Sequence, residues 1–150
     1  MTYQQFRELF YRTLSSLYPL SEIRAQLHYY LRERFSIEAH NFYLYPNYEL
    51  PFSSQNKEEI QRLGRGEPLQ YVLGYTYFSD LKLKVSPDVL IPRPETEELV
   101  KYVLDDCLLH HLQEKPNIID IGTGSGAIAI ALATQLPSAS IVAIDNSKQV

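Results

Sequence analysis

The reading of the fold turns on Asn117-Ile118-Ile119-Asp120-Ile121-Gly122-Thr123-Gly124-Ser125-Gly126. Ile118 to Ile121 form an almost uninterrupted apolar run, which predicts a strand covered on both faces. Small apolar residues follow from Ala127 to Leu136, a helix suited to close packing on a sheet. Ser140-Ile141-Val142-Ala143-Ile144-Asp145 then makes a second strand. Strand, helix and strand within about 30 residues predict a βαβ unit whose strands are parallel neighbours in a right-handed crossover. The glycines therefore fall at the carboxyl end of the first strand, where open α/β sheets bind ligands.

Glycine suits that place because a bound molecule must approach the backbone and because a tight turn demands positive φ. Asp145 lies 23 residues after Gly122, about where an acidic side chain receives the two hydroxyls of a ribose. The pairing predicts a nucleoside cofactor. The plainer alternative is that the glycines only permit a turn and Asp145 only caps the next helix. Gly122-Thr123-Gly124-Ser125-Gly126-Ala127 also satisfies the looser dinucleotide pattern, so a nicotinamide protein stays open. Asp120 favours the other reading, since a carboxylate two residues before Gly122 opposes a diphosphate. S-adenosylmethionine carries an ammonium and a sulfonium that a carboxylate attracts. No Gly-Lys-Ser/Thr follows the loop, which excludes a Walker-type phosphate loop.

Upstream, Pro94 is placed to open a helix with Glu95, Glu97 and Glu98 on its positive end. Its expected buried face is Leu99, Val100, Val103, Leu104, Cys107 and Leu108. Cys107 reads as a packed apolar residue, and His110-His111 as partners of the helix dipole. Before it, Phe78, Leu81, Leu83 and Val85 alternate with polar residues and Val89, Leu90 and Ile91 follow Pro87-Asp88. That pattern predicts a β-hairpin. The first part of the chain has helical spacing. Tyr3, Phe6, Leu9, Phe10, Leu14 and Leu17 form one stripe, with Thr2 and Gln5 at capping-box distance. Ser21 is the expected cap of a second helix carrying Ile23, Leu27, Tyr30, Leu31 and Phe35. A shorter aromatic segment runs from Ile37 to Tyr45, and Ser54 begins a helix through Ile60 and Leu63 that closes near Gly64. Short loops between four helices suggest a bundle.

The 150 residues carry 14 Lys+Arg against 18 Asp+Glu, and 45% are hydrophobic, which describes a chain that folds. One Cys excludes an internal disulfide framework, and the four His lack ligand spacing, so no metal site is expected. Of 18 Tyr and Phe, 17 lie at or before Phe78. Residues 1–92 hold ten basic and ten acidic side chains, and 93–150 hold four and eight. Neither part has the basic stripe of a nucleic-acid interface. No run reaches the length of a bilayer span, and the N-terminus lacks signal-peptide order. A soluble, cytoplasmic protein without membrane or direct nucleic-acid partners is expected.

Three stretches together resemble one family. Gly66-Glu67-Pro68-Leu69-Gln70-Tyr71-Val72-Leu73-Gly74, Val89-Leu90-Ile91-Pro92-Arg93-Pro94-Glu95-Thr96-Glu97 and Asp120 through Ala129 are similar, in order and spacing, to the HemK/PrmC-type glutamine N5-methyltransferases of peptide chain release factors. The run from Ile91 to Glu97 is the specific part, since the glycine loop alone indicates only nucleoside-dependent methyltransferases. The resemblance implies an α-helical docking domain (1–74), a β-hairpin linker (75–92) and the start of an α/β, Rossmann-like methyltransferase domain (93–150). It implies that Gly122, Thr123, Gly124, Ser125 and Gly126 line the methionine part of S-adenosylmethionine. Asp120 would lie beside them, Asp145 would hold the ribose, and Arg93 and Thr96 would border the pocket. It also implies a substrate, the glutamine of a Gly-Gly-Gln loop in a release factor.

The Asn-Pro-Pro-Tyr motif with which this family grips the glutamine amide does not occur among these residues. The chain is therefore expected to be a truncated portion, with no catalytic residue of its own and no activity alone. Its parallel strands are expected to expose apolar surface. Two other readings stand beside this one. Adenine methylation in DNA shares the Asn-Pro-Pro-aromatic site but is disfavoured by the charge balance. A protein-binding helical module without catalysis would require aromatic side chains on the surface.

Overall fold

A computed structural model of the chain describes residues 1–37, 47–109 and 115–148. Most of the aromatic segment from Ile37 to Tyr45, and His110-His111, lie outside these residues. The chain divides into two compact units, Met1–Leu73 and Gly74–Val150.

In the first unit, α1 (Tyr3–Leu14) starts in the expected capping box. The Thr2 hydroxyl accepts the Gln5 amide at 3.3 Å, and Gln5 Oε1 accepts the Thr2 amide at 3.0 Å. Tyr3, Phe6, Phe10 and Leu14 are buried, whereas Leu17 lies beyond the helix and is 44% exposed. Helix α2 (Leu20–Phe35) is capped by Pro19, not by Ser21. The proline ring holds the extended conformation a cap needs, and its carbonyl accepts the amides of Glu22 and Ile23. Helix α3 (Ser54–Leu63) has a second capping box, made by Ser53 and Asn56. A short α4 (Leu69–Leu73), which hydrophobic spacing did not reveal, starts where Pro68 offers its carbonyl to Tyr71 and Val72.

Tyr3, Phe6, Phe10 and Tyr30 lie in the core of this unit. Phe6 stacks on Tyr30 at 5.7 Å and meets Phe35 and Phe52 edge-on. Phe6, Phe10 and Tyr30 have no exposed surface, which counts against a free-standing binding module, although Tyr48 is 51% exposed. One buried polar cluster crosses the core. The Tyr30 hydroxyl donates to Glu59 at 2.6 Å and accepts from the Asn56 amide at 3.0 Å, while Arg34 ion-pairs with Glu59 at 2.7 Å. Burial, then the Glu59 carboxylate, push the Tyr30 phenol far above its ordinary pKa, so it stays a neutral donor. Arg62 holds Glu67 in a two-point ion pair and donates to the Tyr71 carbonyl, tying α3 to α4.

The second unit opens with a hairpin of β1 (Tyr75–Phe78) and β2 (Leu81–Lys84), antiparallel with Phe78 opposite Leu81. The reversal is at Ser79-Asp80, not at Pro87-Asp88, and Val89–Ile91 is not a strand. Both turn residues have positive φ, 47° and 63°, the geometry that matches the twist of two paired strands. Phe78 and Leu83 are buried with Val100, Ala127, Ala131 and Leu132. Helix α5 (Glu95–Leu109) begins just after Pro94. Of its expected buried face only Val100 is buried, Val103 and Leu104 pack partly, and Leu99 and Leu108 are exposed. The βαβ unit is present as β3 (Asn117–Ile121), α6 (Ala127–Gln135) and β4 (Ser140–Ile144). Its strands are parallel, with Ile119 opposite Val142 and Ile121 opposite Ile144. Ile118 and Ile141 pack toward the core, while the opposite face is open and Ile121 is 78% exposed.

No helix among the described residues is long and apolar enough to cross a membrane, and no group of three His, Cys, Asp or Glu there could hold a metal.

Candidate cofactor site

The loop from Gly122 to Gly126 leaves β3 and turns back against the end of β4, because the Gly122 and Thr123 amides both donate to the Ile144 carbonyl, at 2.8 and 3.1 Å. Gly122, Gly124 and Gly126 all have positive φ (76°, 53° and 75°). A Cβ on Gly122 or Gly124 would meet only open space, so the backbone conformation itself selects glycine there. At Gly126 a Cβ would also press on Ile130 at 3.1 Å. Gly126 is the N-cap of α6, so the loop passes in front of that helix's amides.

Two carboxylates reach this loop from different strands. Asp120, half-buried near the end of β3, accepts the Thr123 hydroxyl at 2.7 Å. Asp145, just past β4, accepts the Gly124 amide on Oδ2 and the Ser147 amide on Oδ1, both at 2.9 Å. Those amides, Ser147 first and Gly124 next, hold the Asp145 carboxyl below its ordinary pKa, so it is ionised at neutral pH. Asp120, Thr123, Gly124 and Asp145 are thereby gathered at one end of the β3–β4 pair. Ser125 lies within the same half-buried turn.

Thr96 and Arg93 lie at the start of α5, where the Thr96 amide donates to the Arg93 carbonyl at 3.0 Å. No hydrogen bond or ion pair joins either to the glycine loop among the described residues. Ser147 was not anticipated. The signal was present, since an Asp commonly accepts the amide two residues ahead of it.

From Pro116 to Ser147 there is no Lys, Arg or His. A loop edged by two carboxylates and no cation is matched to a nucleoside that brings positive charge, and poorly matched to a diphosphate. The residues present thus fit S-adenosylmethionine by charge and by the acceptor groups they offer.

The family model described as "Methyltransferase small domain" matches residues 104–150. The α/β part of this chain is therefore of the methyltransferase class. Release factor glutamine methyltransferases match much more of it. That of Flavobacterium psychrophilum is 37% identical over 149 residues, covering 98% of this chain and 52% of that protein. That of Coxiella burnetii is 46% identical over 110 residues, covering 72% and 39%. That of Bacteroides thetaiotaomicron is 36% identical over 140 residues, covering 92% and 49%. The chain belongs to the family of the release factor glutamine methyltransferases. It spans about half the length, or less, of the curated relatives it matches.

Proposed function

We propose that this chain supplies the cofactor-holding part of an S-adenosylmethionine-dependent enzyme that methylates the side-chain amide of the glutamine in a release factor's Gly-Gly-Gln loop. The observation that carries the reading is the pair of carboxylates, Asp120 and Asp145, hydrogen-bonded to the adjacent loop residues Thr123 and Gly124 in a segment without cations. In this reading Gly122, Thr123, Gly124, Ser125 and Gly126 line the methionine part, and Asp120 provides the negative field its ammonium and sulfonium favour. Asp145 receives the ribose hydroxyls, and Thr96 borders the pocket on the strength of resemblance alone. Residues 1–74 form the release-factor docking domain, 75–92 the linker, and 93–150 the start of a Rossmann-like domain. A translation factor as substrate sets the work in the cytoplasm.

The bound cofactor supplies an electrophilic methyl group. The chain's own residues contribute position and field: they fix the sulfonium end so that an amide nitrogen can line up behind the methyl carbon. Groups that grip the glutamine amide are not among these residues, so no catalytic residue is assigned. Calorimetric titration of S-adenosylmethionine and of NAD tests the reading, with Asp145→Ala as control. S-adenosylmethionine should bind more tightly and the substitution should weaken it. Preferential NAD binding would end the proposal.

A further inference from the structure

The bonds of Asp145 carry a consequence for the loop itself. Its two oxygens are spent on two backbone amides in opposite chain directions: Ser147, two residues ahead, and Gly124, across the loop. Gly124 has positive φ and is half-buried, and its amide is held by the Asp145 side chain. Its neighbour Thr123 is bonded to Asp120 from the other strand. A carboxylate offers roughly four acceptor directions. The Gly124 and Ser147 amides take one direction on each oxygen and the neighbouring Asn146 amide adds a further interaction, so the carboxylate still has acceptor capacity for another donor.

We infer that Asp145 is a latch as well as a ligand group: through the Gly124 amide it holds the glycine loop in its binding shape before any cofactor arrives, leaving its remaining lone pairs for a vicinal diol. The diol half rests on the cofactor reading above; the latch half stands on the hydrogen-bond geometry of the loop. Asp145 is thus a positioning residue for the methionine end of the cofactor, which it does not touch. Two different carboxylates staple consecutive loop residues to the ends of two parallel strands, so the loop is set by the strand pair and not by its own flexible glycines.

Amide exchange followed by NMR on the ligand-free chain tests the latch. In Asp145→Ala the Gly124 amide should lose about tenfold or more of its protection, the scale of one hydrogen bond to a charged acceptor. The Gly122 amide, which donates to Ile144, should be unchanged. Unaltered Gly124 exchange would overturn the latch, and so would equal loss at Gly122, which would mean that the strand pair had opened. A second arm compares S-adenosylhomocysteine with its 2′,3′-dideoxy analogue. The substitution should weaken both, whereas a group acting on the diol alone would leave the dideoxy analogue's affinity unchanged, and that result would count against the latch. If neither compound binds the unsubstituted chain, the cofactor reading fails, and the exchange measurement decides the latch by itself.

Discussion

At the scale of single residues, buried hydrogen bonds and backbone conformation dominate. Tyr30 serves both Glu59 and Asn56, and all three are buried. Tyr30→Phe removes one hydroxyl but leaves two polar groups short of a partner, so it should cost about 1–3 kcal/mol in urea unfolding. Gly124→Ala should cost about 1–2 kcal/mol. The Cβ would meet only open space, so that loss would measure left-handed backbone strain without steric conflict. Glu67 gives a pH signature. Hydrogen bonds from Arg62 hold its carboxyl below the ordinary 4.5. A depressed folded-state pKa means that the stabilisation is complete above the ordinary value and is lost as pH falls through the lower, folded one. Acid titrations of stability should therefore steepen below that ordinary value, and Glu67→Gln should flatten this part of the curve.

At the scale of elements, local chemistry explains where each one starts and stops. The boxes at Thr2 and Ser53 each satisfy otherwise unpaired amides. Thr2→Ala should lower stability by about 1 kcal/mol, seen as a lower unfolding midpoint. The hairpin turn uses two residues at positive φ although neither is glycine. Replacing Ser79-Asp80 by Asn-Gly should raise the melting temperature, because those residues adopt the same turn at lower cost. Here the sequence misled for a physical reason. Pro87-Asp88 is the stronger turn signal by composition, yet β2 pairs back onto Tyr75–Phe78, since that register buries Phe78 and Leu83 together. The box at Thr2 was legible because it closes within a few residues, whereas the one at Ser53 and Asn56 emerged only from the structure. The face α5 buries was legible only in part: Val100, Val103 and Leu104 pack as expected, but Leu99 and Leu108 do not, since the stripe is apolar on several sides and packing partners choose among them.

At the scale of the whole chain, two sets of exposed apolar residues stand out. Ile119, Ile121, Val142 and Ile144 line the open face of the β3–β4 pair, and Leu99, Tyr102, Leu108 and Leu109 are exposed on α5. On the strand pair, where Ile119 lies opposite Val142 and Ile121 opposite Ile144, these side chains form one apolar face of the kind that promotes association. Sedimentation should show concentration-dependent self-association of the chain, and Ile121→Lys combined with Val142→Lys should reduce it. Amides of β3 and β4 should also exchange faster than those in α1 to α3, whose residues surround a closed aromatic core. Equal protection in a monomer would contradict this expectation.

The sequence alone determined what depends on near neighbours: the parallel strand–loop–helix–strand unit, the glycines at its turn, and the cap of the first helix. Each rests on interactions between residues a few positions apart, which composition and spacing record directly. Tertiary structure decided the turn of the hairpin, the buried side of α5 and the bond from Asp145 to the Gly124 amide. Those outcomes depend on which distant surfaces meet, because burial and hydrogen-bond geometry are set by the three-dimensional neighbours a residue acquires.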